Sequence, residues 1–157
     1  MDLQRAIEIA VDAHKTDIDK GGNPYILHPL RLMMQMDTED EKIVAVLHDV
    51  VEDHGEQWSM EKIKAEGFPT SVIRGLESVT KMAEEESDAS DDVYFSFVRR
   101  AAADPIGRKV KFADIKDNLD ITRLGRDITE KDVARIRKYK KALDILIEKD
   151  LENVKIN

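Results

Sequence analysis

The feature that most constrains this chain is a short run in which ionisable side chains stand among apolar ones. The string AVLHDVVED places His48-Asp49 after an apolar stretch and follows it with Glu52-Asp53. Burying such groups without compensation costs several kcal/mol per ion, so the fold must supply a bound ion or a polar cavity against this segment. The alternative is a solvated, acidic helix end, which requires nothing from the rest of the chain.

Spacing within and beyond this run favours a metal site. On a helix, neighbouring residues point about 100° apart, so His48 and Asp49 can both lean toward one ion. The two carboxylates at 52 and 53 follow by four residues each and return to the same face. Imidazole nitrogen with carboxylate oxygen is a donor set that suits Mn, Fe or Zn. With the strings NPYILHP and KFADIKDNL, the predicted ligands are His28, His48, Asp49 and Asp114, beside Glu52, Asp53 and Asn118.

Composition limits the remaining possibilities. At 157 residues and 41% hydrophobic content, the chain is expected to form one domain over residues 1–157, with a core at about 3–149. The absence of cysteine excludes disulfides and thiolate metal sites, and a cytoplasmic location is expected. A net charge of −8 argues against sequence-independent nucleic-acid binding. No apolar run approaches the roughly 20 residues of a membrane span, so no membrane partner is expected.

The apolar periodicity, with few β-branched runs, predicts an all-α fold. We expect a bundle of about eight helices. They cover approximately residues 3–16, 28–36, 38–53, 59–67, 70–81, 93–103, 107–124 and 129–149. The acidic stretch at about 83–92 is predicted to be a mobile loop, and the last six residues a frayed tail.

Three strings, in this order, carry a resemblance that an HD dipeptide alone would not. AHKTDIDKGGNPYILHPL, AVLHDVVEDH and VKFADIKDNL resemble the hydrolase domain of RelA/SpoT-type proteins and the small stand-alone alarmone hydrolases of the HD phosphohydrolase superfamily. The resemblance covers about residues 3–147. It implies a helical HD domain that binds one Mn ion and removes the 3′-pyrophosphate from guanosine tetra- or pentaphosphate. No synthetase segment follows, so alarmone synthesis is not expected.

The resemblance also implies roles for single residues. His28, His48, Asp49 and Asp114 would hold the metal, and Glu52 with Asp53 would form the catalytic acid/base pair. Asn118 would contact the ribose region, and Tyr139 would lie near the substrate phosphates. Among the basic residues near the third string, Lys111 is the preferred phosphate contact, and Tyr25 either packs under the substrate loop or faces the ligand. The expected substrate-binding residues are Lys20, Tyr25, Lys111, Asn118 and Tyr139.

Two positions depart from the family pattern. The family carries Arg-Lys before the loop, with the arginine packed on the guanine base, whereas this chain has Asp19-Lys20. His54 stands where threonine often follows the acidic pair, and we interpret it as an exposed helix-end histidine. His14, common in the family, is interpreted as a structural residue of the first helix.

These observations leave several functions open. The leading prediction is a metal-dependent hydrolase of nucleotide 3′-pyrophosphates. Asp19 favours a second one, an HD phosphohydrolase acting on another phosphorylated nucleotide. A non-catalytic nucleotide sensor is disfavoured because every inferred ligand and both acidic residues are present, and a purely structural helical module leaves the charged run unexplained. The expected partner is a small nucleotide, and a homo-oligomer remains open.

Overall fold

The architecture is a series of helices separated by turns and loops. The computed structural model describes residues 1–82, 85, 87 and 90–156, with side chains described as far as residue 149. Its helices are α1 Leu3–Ala13, α2 Leu27–Met33, α3 Glu39–Leu47, α4 Val50–Asp53, α5 Met60–Ala65, α6 Thr70–Val79, α7 Asp91–Ala103, α8 Pro105–Asn118 and α9 Glu130–Ile156, with a 3₁₀ turn at Ile121–Arg123. The described part of the chain contains no strand, so the predicted all-α fold is confirmed.

Side-chain caps explain where the two helices nearest the site begin. Thr38 Oγ1 accepts a hydrogen bond from the Glu41 backbone N–H, and the Glu41 carboxylate accepts one from the Thr38 backbone N–H, which forms the capping box of α3. Asp104 Oδ1 accepts from the backbone N–H groups of Ile106 and Gly107, at 3.0 and 2.9 Å, and so begins α8.

Helix α3 lies at the centre of the larger apolar core. Its residues from Ile43 to Leu47 are all buried, packed between α1, α2, α6 and α8. A second apolar cluster joins α7, α8 and α9 around Phe95, Ile115 and Leu146. Because α8 belongs to both clusters, its Asp114 is held between them and faces the end of α3.

One glycine lets α8 approach α6 closely. A Cβ atom at Gly107 would come within 1.9 Å of Ser78 Oγ, far inside van der Waals contact. The absence of a side chain at this position therefore sets the depth at which α8 packs.

Several predicted boundaries were wrong. The helix expected over 38–53 is interrupted at His48-Asp49, because Asp49 takes backbone angles of −97° and −10° and begins α4. The helix predicted to reach residue 124 ends at Asn118, where the chain enters the 3₁₀ turn. The last helix continues through Ile156 rather than ending at about residue 149, and of the predicted frayed tail only residue 157 lies outside the described residues. Most of the predicted acidic loop lies outside the described residues, and α7 begins at Asp91. None of the described helices is long and apolar enough to cross a membrane.

Candidate metal centre and active site

The four predicted metal ligands come from three separate segments and meet at one point. His28 lies in the first turn of α2 before Pro29, His48 and Asp49 occupy the break between α3 and α4, and Asp114 lies on α8. His28 Nε2 is 3.3 Å from Asp114 Oδ1 and 3.8 Å from Asp49 Oδ2. His48 Nε2 is 2.8 Å from Asp49 Oδ2 and 3.9 Å from Asp114 Oδ1. These separations suit ligand atoms around a single ion.

The imidazole of His48 is oriented by its own helix. Its Nδ1 lies 2.9 Å from the Ala45 carbonyl oxygen, which accepts the Nδ1 proton and leaves the lone pair on Nε2 directed at the centre. Nε2 is buried and makes no hydrogen bond, although Asp49 is close. A buried nitrogen lone pair without a donor is the state that a cation would satisfy, so these residues fit a divalent metal.

A network of charges orients His28. Its Nδ1 lies 2.7 Å from Asp117 Oδ2, and the Arg31 guanidinium binds the same carboxylate in bidentate fashion at 2.7 and 2.9 Å. Arg123 adds a third cationic contact at 2.9 Å. Burial opposes ionisation of Asp117, but the hydrogen bonds from Arg31 and His28 outweigh it and hold the pKa of Asp117 well below its usual range. Asp117 thus remains an anion that fixes the ring of His28.

Asp114 and Asp49 are held by partners outside the ligand set. Lys111 Nζ donates to Asp114 Oδ2 at 2.8 Å, and Asn118 Nδ2 donates to Asp114 Oδ1 at 2.6 Å. Burial opposes the charge of Asp114, yet Lys111 and the imidazoles keep the pKa of its carboxyl well below the usual value. Tyr25 donates its hydroxyl proton to Asp49 Oδ2 at 2.5 Å. Burial and the Asp49 charge raise the pKa of Tyr25, so the hydroxyl stays protonated.

The two residues of the acidic pair have different environments. Glu52 accepts hydrogen bonds from the backbone N–H of Lys81 at 2.7 Å and from its Nζ at 2.9 Å. Asp53 makes no hydrogen bond or ion pair to any side chain that the structure describes. Desolvation by the surrounding protein raises the pKa of Asp53 to about 6, and the negative charges of Asp49 and Glu52 add to the effect. Asp53 is therefore a carboxylate able to exchange a proton near neutrality.

A cavity of about 270 Å³ opens beside His28. Three of the predicted substrate residues, Lys20, Tyr25 and Asn118, line it. Two arginines that the sequence analysis missed, Arg123 and Arg135, line it as well. Arg123 follows the end of α8 and Arg135 lies on α9, and no motif marks either position.

Two predicted substrate residues lie outside this cavity lining. Lys111 is engaged with Asp114 and stands over the Phe97 ring, 4.9 Å from its centroid. Tyr139 packs against Tyr94 with ring centroids 6.2 Å apart. Burial and the charge of Asp114 raise the pKa of Tyr139.

Asp19 has a structural role that the sequence did not reveal. Its Oδ1 accepts hydrogen bonds from the backbone N–H groups of Gly21 and Asn23, at 2.8 and 2.9 Å. Its other oxygen lies 3.7 Å from the Arg123 guanidinium. The carboxylate therefore holds the loop between α1 and α2 in shape, as aspartate does in Asx turns.

Curated relatives are similar to this chain over about half or more of its length. A guanosine-3′,5′-bis(diphosphate) 3′-pyrophosphohydrolase of Aquifex aeolicus is 31% identical over 140 residues, which cover 85% of this chain and 20% of the relative. A protein of the same name from Haemophilus influenzae is 36% identical over 78 residues, 47% of this chain and 11% of the relative. The chain belongs to the RelA/SpoT-type family. No family model matches it.

The RelA/SpoT-type relatives do not all carry the same name. A probable GTP pyrophosphokinase of Mycobacterium leprae is 31% identical over 123 residues, 74% of this chain and 15% of the relative. The chain thus spans about a fifth or less of the length of these three relatives. The names describe both alarmone hydrolysis and synthesis, so the choice between them depends on the site itself.

Proposed function

We propose that this protein is a metal-dependent phosphohydrolase that removes the 3′-pyrophosphate of guanosine 3′,5′-bis(diphosphate) and its pentaphosphate, giving GDP or GTP and pyrophosphate. The observation that carries the proposal is the cluster of His28, His48 and Asp49, with the Asp114 carboxylate 3.3 and 3.9 Å from the two imidazoles, beside an acidic pair and a cationic cavity. The relatives named as 3′-pyrophosphohydrolases support the same substrate class.

The metal would be held by His28, His48, Asp49 and Asp114, and Mn is the proposed ion. The nitrogen and oxygen donor set suits Mn, and the unpartnered Nε2 of His48 supports a cation at this point. When bound, such an ion supplies a water of lowered pKa and neutralises charge on phosphoryl oxygens.

The two residues of the acidic pair have different roles. Asp53 accepts the proton of the attacking water, because its carboxylate has no competing partner among the described residues and its pKa of about 6 is near working pH. Glu52, held by Lys81, fixes the end of α4, and its negative charge helps to raise the pKa of Asp53. The water adds to the phosphorus next to O3′, the bond between that phosphorus and O3′ breaks, and a proton passes to O3′.

The cavity would hold the nucleotide. Lys20, Arg123 and Arg135 provide positive charge for the phosphates, and Asn118 and Tyr25 lie between the cavity and the metal ligands. Lys111 compensates the charge of Asp114 rather than reaching into the cavity. Tyr139 on α9 packs against Tyr94 outside the cavity lining, and its contact with the substrate phosphates stays a prediction.

A direct assay tests hydrolysis against synthesis. Chelator-treated protein resupplied with Mn²⁺ is expected to convert guanosine tetraphosphate into equal amounts of GDP and pyrophosphate, measured by anion-exchange chromatography. The same protein given ATP and GDP is expected to form no AMP. Transfer from ATP, or turnover that is unchanged after chelation, would overturn the proposal.

A second candidate is hydrolysis of another phosphorylated nucleotide. It is favoured by Asp19, which stands where the family places a guanine-stacking arginine. The Asp19 carboxylate instead holds the loop between α1 and α2 and lies near Arg123. Assaying adenosine and guanosine polyphosphates side by side separates the two, since this candidate predicts faster turnover of a substrate other than guanosine tetraphosphate.

A further inference from the structure

A second cluster of metal-ligating side chains lies on the other side of Tyr25 from the predicted centre. His14 follows the end of α1, Asp17 lies in the loop after it, and His54 follows the end of α4. His14 Nδ1 is 2.8 Å and His54 Nε2 is 2.7 Å from the same oxygen, Asp17 Oδ2. The predicted centre uses none of these three residues.

The cluster is built into the fold rather than scattered on the surface. The His14 side chain is fully buried, with its ring centroid 4.8 Å from that of Tyr25 and 4.9 Å from that of His54. The side chains of Asp17 and His54 are 31% and 21% exposed, so the group is closed on one side and open to water on the other. The earlier interpretation of His54 as a free helix-end histidine is wrong, because its ring is turned inward onto Asp17.

We propose that His14, Asp17 and His54 form a second divalent-cation site, of the zinc class. Two imidazole nitrogens and one carboxylate oxygen are a ligand set found in zinc sites that keep one position for water. The three ligand atoms lie close enough to share one ion after small side-chain adjustments, and the open side admits the ion and its water. The site shares no ligand with the proposed catalytic centre, so its metal content can be measured separately from hydrolysis.

Such an ion would tie two parts of the molecule together near the acidic pair. His54 directly follows α4, which carries Glu52 and Asp53, whereas His14 and Asp17 continue from α1. Tyr25 lies between the clusters, with its ring on His14 and its hydroxyl on Asp49. A cation here would fix the position of α4 relative to α1, so His54 would act as a positioning residue for the pair.

Metal stoichiometry tests the site without reference to activity. Chelator-stripped protein is titrated with Zn²⁺ and the tightly bound metal is measured by mass spectrometry after gel filtration. The wild type is expected to hold about two equivalents, and His54→Ala and His48→Ala about one each. Gln57→Ala is the matched control, because Gln57 follows closely in the same segment but bonds to Asp12, and it should keep both equivalents.

Co²⁺ absorption and thermal unfolding give a second readout. Co²⁺ bound to His48→Ala should show visible bands of a nitrogen- and oxygen-ligated ion, and these should vanish when Asp17→Asn is added. Zn²⁺ should raise the melting temperature of the wild type more than that of His54→Ala. If His54→Ala does not fold, Asp17→Asn replaces it, because it keeps the size of the side chain and removes the anionic ligand.

A hydrogen-bonded clasp without metal is the competing explanation. In that case Nδ1–H of His14 and Nε2–H of His54 simply donate to Asp17. Equal Zn²⁺ stoichiometry in the wild type, His54→Ala and Asp17→Asn would establish the clasp and overturn the proposal. Wild-type protein that holds two equivalents but does not hydrolyse guanosine tetraphosphate would instead count against the proposed function alone.

Discussion

The metal centre and the neighbouring cavity are built from different kinds of structure. The four candidate ligands lie in helices or at a helix junction, each packed against the buried core around α3. The cavity is lined mainly by the loop after α1 and by the segment that follows α8. Under the proposed function, the chemistry would take place on elements packed against the core, whereas the substrate would be selected by segments that can change without disturbing the core.

The charged side chains of the two regions also differ in their surroundings. In the centre, each carboxylate is held by a partner of its own: Asp114 by Lys111, and Asp49 by Tyr25. At the cavity, the cations Arg123 and Arg135 face open space as well as protein. Changes at the centre should therefore abolish function, while changes at the cavity should adjust affinity, and the following predictions test this contrast.

The largest effect is expected from removing a ligand. His48→Ala or Asp49→Ala should abolish both hydrolysis and Mn loading, because each removes one of four protein ligands. Metal analysis of the gel-filtered variants, together with the hydrolysis assay, checks this. Full Mn occupancy in both variants would place the metal elsewhere.

Substitutions in the acidic pair are expected to have the next largest effect on turnover. Asp53→Asn is expected to lower the turnover number by at least about 10²-fold, the low end for general acid–base catalysis, with Mn content retained. Glu52→Gln should cost less, since Glu52 is already committed to Lys81. The double variant should match Asp53→Asn in rate and still bind nucleotide. Near-normal turnover of the double variant would move the proton acceptor to another residue.

Asp117 should affect metal affinity rather than chemistry. Asp117→Asn removes the anion that orients His28, and loss of such an outer partner typically weakens metal binding by about 10- to 100-fold. Competition with a calibrated chelator measures the dissociation constant. Excess Mn²⁺ should restore most of the turnover, and failure of this rescue would show that Asp117 does more than orient the ring.

Asp53 should also make stability depend on pH in the chelated protein. Its pKa of about 6 in the folded state lies above the ordinary value of 3.8, so the folded state binds the proton more tightly than the unfolded state. The free energy of unfolding therefore falls as pH rises between these two values. Asp53→Asn should therefore be more stable than the wild type at pH 8, by about 1 kcal/mol after allowing for solvent screening. The gain should shrink below pH 6 and vanish near pH 4. Denaturant unfolding of the wild type and Asp53→Asn at several pH values measures the difference, and an equal gain at pH 4 and pH 8 would contradict the prediction.

The sequence is more informative about the segments that carry the candidate ligands than about the cavity. The i, i+4 spacing and the HD pair identify the ligand segments, because helical periodicity is local and readable. The break between His48 and Asp49 was missed because it depends on the backbone turning at a buried polar pair. Arg123, Arg135 and the Asp17–His54 contact were missed because loop closure brings together residues without any shared spacing.

Asp19→Arg should give the smallest effect and the sharpest test of the cavity. From the sequence alone, an arginine here would be expected to stack on guanine and lower the Michaelis constant by up to about tenfold. The structure predicts the opposite sign, because Asp19 Oδ1 holds the backbone of Gly21 and Asn23, and an arginine offers no acceptor for either. Asp19→Arg is therefore expected to raise the Michaelis constant a few-fold, with the turnover number nearly unchanged because the loop lies away from the bond being broken.

Asp19→Asn is the matched control: it keeps an acceptor oxygen for the loop while removing the charge opposite Arg123, and it should stay close to the wild type. Steady-state kinetics on guanosine tetraphosphate decide the matter, and a lowered Michaelis constant for Asp19→Arg would show that base stacking outweighs the shape of the loop.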